Sequence, residues 1–102
     1  MIIVNGTVRF GAGEIDRLRH AMARNIEATR AEEGCEHYAY AVDLSDPDLL
    51  HVSERWRDDD SIAAHMASPH MGALMAELGA AKVESISIKA YEATFLRNVL
   101  GD

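Results

Sequence analysis

Cys35-Glu36-His37-Tyr38-Ala39-Tyr40-Ala41-Val42-Asp43-Leu44, then Ser45-Asp46-Pro47-Asp48, then Leu49-Leu50-His51-Val52-Ser53-Glu54-Arg55-Trp56-Arg57 is the stretch that decides the fold. In the first run Tyr38, Tyr40 and Val42 share one face; in the second Leu50, Val52, Glu54 and Trp56 do. A period of two is the signature of a strand. Between the runs, Asp and Ser side chains can bond the local backbone and proline fixes φ, which predicts a turn over 45–48. Two alternating runs joined by so short a link predict an antiparallel hairpin, with its second strand starting at Leu49.

Working outward toward the N-terminus, the period changes. From Glu14, Ile15, Leu18, Met22 and Ile26 recur every three or four residues, the stripe of an amphipathic helix over about 13–31. Acidic Glu14 and Asp16 suit its positive end, and Gly34 supplies the stop. Before it, Ile2 to Phe10 reads as a strand with Ile2, Val4, Val8 and Phe10 on one side and Ile3, Asn5, Thr7 and Arg9 on the other.

On the C-terminal side, Asp58 to Ser61 is a helix start, since these side chains can accept from free backbone N–H groups. Ile62, His65 and Met66 share a face. Ser68-Pro69 then restarts a second piece whose stripe is Met71, Leu74, Met75 and Leu78. Val83 to Ala93 alternates again and forms the last strand. The order β-α-β-β-α-β is that of an α+β, ferredoxin-like domain: a four-stranded antiparallel sheet with helices on one face, here over residues 1–93. The tail, 94–102, carries Phe95, Leu96, Val99 and Leu100, and is expected to pack on its own subunit or on a partner.

A chain of 102 residues is one domain. Helices on one face leave the other face of the sheet open. The apolar content of 48% is enough to cover it, and a second copy is the natural cover, so a homodimer is expected. The net charge of −7, with Lys and Arg scattered, argues against nucleic acid. No apolar run approaches the ~20 residues of a membrane span, so no membrane partner is expected. The short apolar start reads as a strand without a basic leader, and Cys35 is the only cysteine; both point to a reducing cytoplasm.

Cofactor motifs are absent. Gly11-Ala12-Gly13 lacks the third glycine of a dinucleotide loop, and neither GxxxxGK[ST] nor GxSxG occurs. The five histidines include no i, i+4 pair, and His65 and His70 lie on either side of Ser68-Pro69, so no metal site is expected.

The segments Gly34-Cys35-Glu36-His37-Tyr38, Glu54-Arg55-Trp56 and Ala64-His65-Met66-Ala67-Ser68-Pro69-His70, in this order and spacing, resemble the antibiotic biosynthesis monooxygenase family. The resemblance implies a dimeric α/β barrel with one pocket per subunit between sheet and helices. It also implies oxidation of electron-rich phenols, hydroquinones or anthrones by O2, with no metal, flavin or other cofactor. A deprotonated polyphenol is itself a reductant, so the protein need supply only a base, a polar group for developing negative charge and a dry aromatic pocket.

Against that requirement, His65 is the candidate base; the competing reading is a buried histidine tying its helix to the sheet. Asn5, a polar residue in an apolar strand, is the candidate oxyanion partner. Trp56, Tyr38 and Tyr40 are candidate pocket walls, although packing alone would bury them. Met66 and Met75 would suit a flat aromatic ligand as well as an adaptable core. Two further functions share the pocket: an isomerase or other proton-transfer enzyme, and a non-catalytic dimer binding a small molecule or haem. A haem-degrading branch of the fold uses a strand Asn, a helix Trp and a helix His; Asn5 matches, but His65 and Met75 stand at the other two positions.

Overall fold

The computed structural model describes all 102 residues, in seven elements: β1 Ile2–Phe10, α1 Glu14–Arg30, β2 Cys35–Asp43, β3 Asp46–Trp56, α2 Asp59–Met66, α3 Pro69–Gly79 and β4 Val83–Glu92. The sheet order is β2-β3-β1-β4, antiparallel throughout, which is the ferredoxin-like arrangement. The second helix comes in two pieces for the reason expected. Asp58 caps α2 by accepting from Ser61 N–H at 2.8 Å; Ser68 caps α3 through Met71 N–H at 3.3 Å, with Pro69 in the first turn.

The hairpin is tighter than its sequence predicts. Asp43 already pairs with Asp46, so Leu44 and Ser45 alone make the turn and β3 begins three residues before Leu49. The Asp43 carboxylate accepts from both the backbone and the hydroxyl of Ser45, at 3.0 and 2.9 Å, which folds the corner without help from Pro47. Pro47 is tolerated because it precedes Leu49, where pairing with β1 starts, and falls within the register shift on the β2 side.

Alternation places Val4, Val8 and Phe10 of β1, Tyr38 of β2, and Leu50, Val52 and Trp56 of β3 on the helix side, all buried. Ile15, Leu18 and Met22 of α1 and Leu74 of α3 meet them. The stripe of α1 runs on through Asn25 and Thr29, which are buried as deeply as the apolar residues, while Ile26 is only half-buried. This core closes the β2–β3 half of the sheet. The β4 edge stays open: every residue of β4 is exposed, Ile86 at 63%.

Neither the second face of the sheet nor the tail is covered within the single chain. The second face of the sheet is not apolar; its centre carries Asn5, Lys89, Ser53, Thr7, Ser87 and His51 in neighbouring register. The apolar fraction has gone instead to the helix side and to the tail. The tail does not fold back on its own subunit: Leu96 is 82% exposed, and Phe95, Val99 and Leu100 are exposed beside it. No helix is long and apolar enough to cross a membrane.

Candidate active site

The open half of the sheet and the helices enclose a cavity of about 560 Å³. Val4 and Val8 form its floor, Ile86 and Ile88 one wall, and Met66, Met71 and Met75 the wall opposite. Apart from two tyrosines, its only polar side chains are His65 and Glu54.

His65 is 2% exposed. Its ring packs on Trp56 at 5.0 Å and edge-on to Tyr38 at 5.3 Å between centroids, so burial and two aromatic neighbours fix its plane. Nδ1 lies 2.7 Å from Glu32 Oε2. A carboxylate can only accept, so Nδ1 carries a hydrogen, and the neutral ring in that tautomer has its lone pair on Nε2. Glu32 reaches the site from the turn between α1 and β2. That turn closes through Gly34 at φ 87, and a Cβ there would stand 2.1 Å from Ser61 Oγ of α2, so only glycine lets the turn lie against this helix.

The same Oε2 is 2.9 Å from His70 Nε2. His65 and His70 therefore meet at one carboxylate oxygen, contrary to the expectation that they point apart. The Ser68-Pro69 break produces this: it ends α2 and redirects the chain, so two histidines that would diverge on one continuous helix converge from two.

Glu54 follows the alternation of Leu50, Val52 and Trp56 into the cavity. Burial pushes its carboxyl above the usual carboxylate range, against the bond donated by Trp56 Nε1 at 2.8 Å and the nearby His65. Tyr38 and Tyr40 place their hydroxyls together, and Asn25 Nδ2 donates to both oxygens at 3.1 Å. Burial pushes both phenols above their ordinary value, so they remain hydroxyls. Of the two hydroxyl hydrogens one lies between the tyrosines, and the other makes no hydrogen bond within the chain.

Of the residues singled out in the sequence, His65, Trp56, Tyr38, Tyr40, Met66 and Met75 gather here, Trp56 as the buried support under His65 and the others as lining. Asn5 does not. It alternates with Val4, so it projects exposed from the opposite face of the sheet. The sequence reading missed Glu32, His70, Glu54 and Asn25. Asn25 had a signal, since it continues the Leu18–Met22 spacing into a core position.

An α+β domain of ferredoxin-like topology with a histidine–carboxylate pair at the edge of an apolar cavity is the class this geometry defines. The chain belongs to the antibiotic biosynthesis monooxygenase family, whose model matches residues 1–77. It is similar to a Deinococcus radiodurans protein described as a candidate antibiotic biosynthesis monooxygenase, at 32% identity and a TM-score of 0.90, over 99% of this chain and 100% of that one. A conserved protein from Methanosarcina mazei is 25% identical, with a TM-score of 0.83 over 91% and 92% of the two chains. A Nitrosomonas europaea protein described in the same terms as the first shares the fold at 16% identity, with a TM-score of 0.86 over 93% and 100%. Among proteins with curated functions, none matches.

Proposed function

We propose that this protein is a monooxygenase that oxidises a phenolic or quinol-type aromatic substrate with O2, needing no metal or flavin for that reaction. The observation that carries the reading is His65: Nδ1 is committed to Glu32, and the ring lines a cavity that is otherwise almost wholly apolar. A base of fixed tautomer in a dry pocket is what removal of a phenol proton requires.

The phenolate, being electron-rich, gives one electron to O2, leaving a phenoxyl radical and superoxide. These combine at an unsubstituted ring carbon, para to the oxygen in a phenol or ortho to it in a hydroquinone, forming a C–O bond, and the peroxide takes up a proton. Loss of the hydrogen on that carbon as a proton, with cleavage of the O–O bond, leaves a new ring oxygen at the carbonyl level and one water. Both atoms of O2 are accounted for, one in product and one in water. The free tyrosine hydroxyl hydrogen is the donor for the developing oxyanion, a part that Asn5 cannot play from the other face of this chain. Glu54, held toward its neutral form by burial, is the proton source for the departing oxygen. Met66 and Met75 are the adaptable wall against the ring.

The working unit in this reading is a homodimer in a reducing cytoplasm. The family resemblance and the exposed apolar tail support the dimer, and the tail then packs on the partner. Its mass in solution, by light scattering, should be twice that of the 11.2 kDa chain; a monomer at micromolar concentration removes this part.

The test of the activity is O2 uptake by metal-free protein with a panel of hydroquinones, naphthols and anthrones. Uptake should exceed autoxidation and fall by about 10²–10⁴-fold in His65→Ala. His65 and Glu54 in one cavity would also serve a proton-transfer isomerase, which turns over its substrate without consuming O2; substrate loss at constant O2 would favour that reading.

A further inference from the structure

We propose that Glu32, His65 and His70 form a binding site for a divalent transition metal of the zinc class, with three protein ligands and one position open to water. Three separate segments supply the ligands: the turn before β2, α2 and α3. Glu32 Oε2, His65 Nδ1 and His70 Nε2 all lie within 4.8 Å of one another. The donor set is two imidazole nitrogens and a carboxylate oxygen, which suits zinc and its neighbours and not magnesium or calcium, whose sites are built from oxygen.

The arrangement is organised in advance. Trp56 and Tyr38 hold the His65 ring, and the glycine-closed turn at Gly34 holds Glu32 against α2. At present two hydrogens occupy the space between the ligands, one on each bond to Oε2, at 2.7 and 2.9 Å. Ligands around a tetrahedral zinc stand roughly 3.3 Å apart, so the two contacts to Oε2 need lengthen by only about half an ångström, while the two histidine nitrogens, within 4.8 Å of each other, draw together around the ion. The side chains of Glu32 and His70 are 17% and 24% exposed, which leaves the ion a way in and the fourth ligand a place.

Filling the site would change what His65 can do. With a metal on Nδ1, the neutral ring carries its hydrogen on Nε2, so the cavity meets a donor where it met a base. The metal-bound form is therefore the inactive form of the oxygenase proposed above. Binding itself does not depend on that reading.

The experiment is titration of metal-stripped protein with CoCl2, followed by visible absorption, then displacement by ZnCl2. We expect a saturable ligand-field band at one cobalt per chain, lost on adding one equivalent of zinc. Glu32→Gln and His70→Gln should each weaken binding at least about tenfold, while His20→Ala, at an exposed position on α1, leaves it unchanged. Circular dichroism shows which variants are folded, and the wild-type titration is decisive even if neither ligand variant is. No saturable band in the wild-type protein overturns the proposal. So does binding that survives both ligand substitutions in folded protein, which would place the metal on surface histidines.

Discussion

The two halves of the helix-facing sheet are built from similar residues and end differently. Over β2 and β3, Trp56 and Tyr38 are sealed beneath α1 and α2, with Trp56 at 0% exposure. Over β1 and β4, Ile86 and Ile88 alternate just as regularly, yet nothing in the chain seals them. Strand patterning says which face a residue takes. Whether that face is filled depends on how far the helices reach, and α1 and α3 stop short of β4. The end beneath α1 and α2 is core; the β4 edge is one side of a container that all four strands line.

Substitutions should separate the halves most strongly through stability. Trp56→Ala removes a fully enclosed ring and should cost about 3–5 kcal/mol in urea unfolding, whereas Ile86→Ala, truncating a side chain already largely in solvent, should cost less than about 1 kcal/mol. Equal losses would mean that β4 is covered in solution.

A smaller effect should come from Glu54, the carboxyl shared by the two halves. Its folded-state pKa is raised, so the native protein holds a proton that the unfolded chain releases. The associated stability is fully present below the unfolded value of about 4.3 and is lost as pH rises through the folded one. Glu54→Gln, which can still accept from Trp56, should therefore gain on the wild-type protein as pH goes from about 4 to about 7; a constant difference would show the carboxyl to be solvated. The smallest effect on the fold is expected from Met75→Ala, on the rim of the open half. Thermal stability should barely move, while KM for an aromatic substrate rises; an unchanged KM would place the ligand elsewhere.

Much of this was legible in the sequence. The hairpin, the stripe of α1 and the Ser68-Pro69 break each follow from a local rule, and together they give the order of elements along the chain. Even the fault in the Asn5 assignment could be read there, because a residue next to Val4 in a strand cannot share its face. Glu54 stood in the same alternating series as Trp56, and its burial followed. Glu32 was not legible. It lies in a turn 33 residues before His65, and no periodicity relates a turn carboxylate to a helix that packs against it only after folding. The meeting of His70 with His65 was hidden likewise, because it depends on the angle between two short helices.

The pairing of β1 with β4 joins the first strand of the chain to the last, tied by Ala93 N–H to Met1 C=O at 2.9 Å across 92 residues. During synthesis β1 leaves the ribosome first and can pair with β3 long before β4 exists. Until then one edge of β1 stays bare, with Val4 and Val8 beside it, in the open-edged condition that invites pairing between nascent chains. The cavity is thus complete only once β4 has been made, and a chain truncated before Val83 would keep most of its core while losing the wall that turns a sheet into a vessel.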